Sequence, residues 1–297
     1  MNKIYHAEYA QWFHEPWAIL PERFAALMQA ARSFLAGEET PEAARPAPAS
    51  RATGAVAIVP ISGPIFPRGG GLLAELFGGT SSEHLALTMR RAAADPAVSA
   101  IVLDINSPGG AVAGVTEAAA AIRDAASQKP VVAVANHLAA SAAYWLAAQA
   151  SQLVVTPSGE VGSIGVFAAH QDWSKAMEQM GVTVSLISAG KYKTEGNPYE
   201  PLSDEARGAI QARVDDYYKA FTADVAKGRK VAVETVRGGF GEGRVVGARE
   251  AVREGMADGV GTLGDAVAAA ARLAGERLRS PSAELEFRQR RARAVRE

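Results

Sequence analysis

The chain holds 297 residues, 48% hydrophobic and 21% charged, a globular balance that excludes wholesale disorder. Lys plus Arg number 31 against 32 for Asp plus Glu, and a net charge of −1 leaves no overall field to hold nucleic acid or an anionic membrane. Cysteine is absent, which excludes disulfides, a thiol nucleophile and Cys-ligated metal, and the five histidines (His6, His14, His84, His137, His170) form no H-x-H or H-x-x-x-H pair for zinc.

Residues 1–37 are rich in aromatics and end in PERFAALMQAARSFLAG. Phe24, Leu27, Met28, Ala31 and Leu35 recur there at helical spacing, and Gly37 supplies a stop. This predicts a docking helix outside the main core. The N-terminal residues lack the apolar core of a signal peptide. The longest uncharged stretch, residues 130–159, is broken by Asn136, His137, Gln149 and Gln152, short of the ~20 apolar residues of a span. The expectation is a chain without a membrane anchor. Residues 38–53, with three prolines, read as a linker.

From residue 54 to 275, short β-branched runs alternate with helical segments. Strands are predicted at 55–61, 99–105, 130–135, 152–156, 161–167 and 182–187, with helices between them. Strands apolar along most of their length and separated by helices imply a mostly parallel sheet covered on both faces, an α/β fold. A long helix is predicted from Asp204 to Lys227, opened by Ser203. Its apolar Ile210, Val214, Tyr217 and Phe221 make a packing stripe, for the chain's own sheet or for another copy. Residues 276–297 carry seven arginines and four glutamates, a basic tail that reads as a solvated terminal helix.

Three strings carry chemistry. Asp104-Ile105-Asn106-Ser107-Pro108-Gly109-Gly110 follows a strand and precedes a helix, so backbone N–H groups of its glycines suit an oxyanion. In Asn136-His137-Leu138-Ala139-Ala140-Ser141-Ala142-Ala143-Tyr144, small residues surround a single serine at a helix start. Ser141 is there a helix cap or a nucleophile with the Ala142 N–H beside it. Gly190-Lys191-Tyr192-Lys193-Thr194-Glu195-Gly196 brings lysines after a strand, as surface charges or as a base for Ser141.

In this order the strings resemble the serine peptidases of the signal peptide peptidase A family, over about residues 56–261. Gly162-Ser163-Ile164-Gly165-Val166 and Gly243-Arg244-Val245…Glu250-Ala251…Gly255-Met256-Ala257-Asp258 add to the resemblance. GSIGVFAAHQDWSKAMEQMGV followed by GKYKTEGNPY is similar to the tailed-bacteriophage head maturation branch, the minor capsid protein C type. The resemblance implies an α/β spiral of βαβ units like that of ClpP and the crotonases. It also implies a Ser/Lys dyad without cofactor or metal: Ser141 as nucleophile, Lys193 as base and Lys191 as a surface neighbour. Ser163 would stand near the lysine amine, with Gly110, Ala142 and Gly109 around the oxyanion. Phage capsid, portal or scaffold proteins would be the substrates, a homo-oligomer the assembly, and the host cytoplasm or procapsid the setting. Other readings stay open: a bacterial cytoplasmic relative, a Ser141/His170/Asp protease, a crotonase-like acyl-CoA enzyme, and an inactive shell protein. His137 reads as a cleft-wall residue.

Overall fold

A computed structural model describes residues 12–13, 15–37, 49–53, 55–69 and 77–279. Most of the predicted linker and of the basic tail, with His6 and His14, lies outside the described residues.

The chain opens with β1 (Trp17–Ile19) and α1 (Pro21–Ala36), which ends at Gly37 with φ 74°. Then come β2 (Arg51–Thr53), β3 (Val56–Ser62), β4 (Ile65–Phe66), β5 (Thr80–Ser81) and α2 (Ser82–Ala94). The middle of the chain holds β6 (Ala100–Ser107), β7 (Gly109–Ala111), α3 (Val115–Gln128), β8 (Val131–Ala140) and α4 (Ala142–Ala147). It continues through β9 (Gln152–Val155), β10 (Glu160–Gly162), α5 (Ser174–Gln179), α6 (Asp204–Arg229) and α7 (Val233–Arg237). Last come β11 (Val245–Gly247), α8 (Ala248–Arg253), β12 (Gly259–Val260) and α9 (Leu263–Leu278).

β3, β6 and β8 form a parallel centre, with β2 antiparallel at one edge. Side chains alternate across it as the two-residue strand period requires. Ile101, Leu103, Ile105 and Ala133 face the main core under α2, α3 and α4. Val102, Val132 and Val134 face Ala266, Ala270 and Ala274 of α9 on the other side. This is the expected α/β architecture with both faces covered.

β8 changes partners along its length. Val132–Ala135 pair with β9, whereas Leu138–Ala140 pair with β10. The change falls at His137, whose φ is 88° and whose N–H is held by Thr156 Oγ1 at 3.2 Å. Beyond that break the end of β8 lies against Gly109 of β7, which joins a second sheet of order β1-β7-β4-β5.

Two expectations change. Predicted strand 161–167 is ordered as β10 only to Gly162. Predicted strand 182–187 is irregular, and Ile187 is 100% exposed. Its alternating valines suit a strand, but no neighbouring strand among the described residues supplies a ladder. Unpaired backbone has no reason to hold β geometry in water.

Candidate active site

Parallel strands deliver their loops to one edge, and here β6 and β8 deliver the two glycines and the serine. β6 ends in Ser107, whose buried Oγ accepts the Gly109 N–H at 3.2 Å and holds the Pro-Gly-Gly turn. β8 ends at Ser141, which has φ 55° and ψ −121° between strand and helix. Such backbone costs about 1–3 kcal/mol in a non-glycine residue and persists only when its surroundings fix it. Ser141 N–H donates to Gly162 C=O at 2.7 Å, and Trp145 N–H donates to Ser141 C=O at 2.9 Å. Ser141 Oγ reaches Gly165 C=O only at 3.5 Å, a long contact that leaves the hydroxyl weakly held.

α4 is pinned from behind. Trp145 stacks on Phe221 at 4.5 Å, and its indole N–H donates to Asp224 at 2.8 Å, with Arg123 on the same carboxylate at 2.9 Å. Ala142 is the first residue of α4, where a helix leaves the N–H without an intrahelical acceptor. Gly109 stands across from it. A methyl group there would lie 3.0 Å from Ser141 Cβ and 2.2 Å from the Ala18 carbonyl oxygen, so only glycine fits, at φ 97°. Gly110 pairs with Ala18 of β1.

Ser141, Ala142, Gly109 and Gly110 therefore share one end of the sheet. Ser163, at φ 53° and almost fully buried, directly follows the carbonyl that anchors Ser141, and donates its N–H to Arg244 C=O at 2.8 Å. No hydrogen bond joins Lys193 to Ser141 among the described residues, where Ser141 Oγ reaches Gly165 C=O. Lys193 is exposed on the turn after residues 182–187, and its amine has no hydrogen bond or ion pair among the described residues. Exposed Lys191 reaches Tyr192 Oη at 2.6 Å and Glu205 at 3.3 Å. His170 Nε2 contacts Asn197 C=O at 3.2 Å, and exposed His137 contacts its neighbour's carbonyl at 2.8 Å. Neither histidine bonds to Ser141.

The residues missed in sequence are those of β1. Trp17–Ile19 lies antiparallel along Gly109–Ala111, and Trp17 pairs on its other side with Phe167. The available signal was Pro16-Trp17-Ala18-Ile19-Leu20-Pro21, a short apolar run between prolines.

The model of peptidase family S49 matches residues 123–277, a span that contains Ser141, Ser163 and Lys193. The chain is similar to capsid assembly protease C of Escherichia phage lambda, at 36% identity over 71% of this chain and 48% of that protein. It is also similar to head-tail preconnector protein GP5 of Enterobacteria phage P21, at 34% over 75% and 44%. A putative signal peptide peptidase of Enterococcus faecium is 31% identical over 62% and 54%. The chain spans about half the length of these curated relatives.

Proposed function

From the premise that the chain belongs to peptidase family S49, we propose that it is a serine endopeptidase with Ser141 as nucleophile and Lys193 as general base. The observation that carries the reading is Ser141 itself, a strained serine at a strand-to-helix turn facing Gly109 and beside the free N–H position of Ala142. Ser141 Oγ attacks the scissile carbonyl as Lys193 takes its proton. The proton then passes to the leaving amine, and water releases the acyl group from Ser141. The N–H groups of Ala142 and Gly110 hold the oxyanion, and the Ser163 hydroxyl steadies the amine.

A lysine in water titrates near 10.4, so a neutral base at pH 7 needs about 5 kcal/mol of differential destabilisation of the ammonium. The exposed stretch Met180, Val182, Val184, Leu186 and Ile187 just before Lys193 offers the means. A second copy covering these apolar side chains dries the lysine and brings it to a serine, so the working form is a homo-oligomer. Polypeptides are the substrates. The phage relatives point to capsid, portal or scaffold proteins, cleaved in the host cytoplasm or procapsid. Among the described residues no helix is long and apolar enough to cross a membrane.

Casein hydrolysis tests the reading. Ser141→Ala and Lys193→Ala are each expected to lower the rate by roughly 10⁴ or more, while His170→Ala and Lys191→Ala keep most of it. A His170→Ala loss as deep as that of Ser141→Ala overturns the lysine assignment. Mass spectrometry of capsid precursors incubated with the protein identifies the substrate.

A further inference from the structure

β1 lies along the strand whose first glycine faces Ser141. It adds to the free edge of β7, the strand that begins at the glycines facing the serine, and it fills the space between β7 and Phe167. Trp17 exchanges both backbone bonds with Phe167, at 2.7 and 2.9 Å. At the ends of the β7 ladder, Leu20 N–H donates to Pro108 C=O at 3.0 Å and Val112 N–H to Pro16 C=O at 3.2 Å. Prolines stand at both of those pairs and cannot return a bond. The ladder is short and closed by residues that weaken it.

Ser141 is only 1% exposed with β1 in place. The Ala18 carbonyl and Ser141 Cβ approach the same point beside Gly109. Trp17 and Ile19 pack into a satellite cluster with Phe13, Phe24 and Leu27, seated on Phe66 and Ala111. Ala18, between them, belongs to the main core with Ala139 and Ala142. One small residue turns toward the serine, and a large apolar residue on each side turns away.

We propose that β1 is a tethered occupant of the substrate groove. It mimics an extended peptide with a small residue between two large apolar ones, and it must leave before a polypeptide reaches Ser141. The inference rests on the peptidase reading and adds to it the groove's path, its preferred pattern and the segment that closes it.

Cysteine is absent from the chain, so a single engineered pair gives a clean test. Trp17 and Ala111 are directly opposed, at a spacing that accepts a disulfide. Full-length Trp17→Cys/Ala111→Cys, prepared in the Ser141→Ala background, is titrated with a fluorescent peptide of the sequence EPWAILP. The reduced form is expected to bind about tenfold or more tightly than the oxidised form, because a sealed groove has no competent fraction. Equal binding by the two forms makes β1 a fixed wall and overturns the proposal. Should the double variant not fold, full-length Ile19→Asp in the same background serves. It is expected to bind the peptide more tightly than its parent, and unchanged binding overturns the proposal. Peptide binding needs no catalysis. Failure of the peptidase reading shows separately, as casein hydrolysis that survives Ser141→Ala.

Discussion

At the scale of single residues, the site depends on positions where a larger side chain cannot exist. Gly109 combines φ 97° with a methyl-sized space already taken by the Ala18 carbonyl and by Ser141 Cβ. Gly109→Ala is therefore expected to destabilise the fold by about 1–3 kcal/mol, read as a lowered midpoint in chemical denaturation. A Gly109→Ala protein as stable as its parent would mean that β1 yields freely. Ser141 was legible in the sequence for the same reason that it is strained. A strand, a set of small residues and a helix start are local signals, and the alanines around the serine are what let β7 come close. The surroundings of Lys193 were not legible. Residues 182–187 have the alternation of a strand, but alternation does not say whether a partner exists, and here none is found among the described residues.

Between elements, one carboxylate ties together parts of the chain far apart in sequence. Asp258, before β12, accepts from both terminal guanidinium nitrogens of Arg229 in α6, at 2.7 and 2.9 Å, and from the Leu153 N–H of β9 at 2.6 Å. Burial alone would raise its pKa, but the Arg229 hydrogen bonds and the Leu153 N–H hold it below the ordinary value. A carboxyl depressed in the folded state stabilises the fold above its unfolded pKa, near 3.9. That contribution is lost as pH falls through the lower folded value. Thermal melts are accordingly expected to show little dependence on this pair from pH 7 to 5 and a steep loss below about pH 4. Asp258→Asn is expected to cost about 1–2 kcal/mol at neutral pH, a figure kept small because the Asp258 side chain is 37% exposed. A melting curve of Asp258→Asn that matches its parent at pH 7 would remove the pair from the account. The long parallel strands were legible from their apolar runs. β1 was not, since three residues carry no period and its partner is remote in sequence.

On the scale of the whole molecule, two features remain incomplete within one chain. The first half of α6 stands half-covered, with Ile210, Val214 and Tyr217 only partly buried, while the second half seats Phe221 and Val225 in the core. The stripe expected to pack along its full length is thus satisfied by the chain's own core only at one end. Beyond it, Met180 to Ile187 present apolar side chains to water just before Lys193. Exposed apolar surface of this kind gains by being covered, and a lysine needs to be dry to act as a base. Both are met if copies assemble, as a tetramer or larger, with the 180–193 segment of one copy laid against the serine edge of the next. Light scattering is expected to give a mass several times the 31.0 kDa of the chain. Ile187→Glu is expected to lower both that mass and the casein rate. The sharper test pairs the two inactive variants. Co-expressed Ser141→Ala and Lys193→Ala chains regain casein hydrolysis if the lysine of one copy serves the serine of another. Mixed assemblies as inactive as either variant alone would return Lys193 to its own chain, and an active species at the monomer mass would end the oligomeric account.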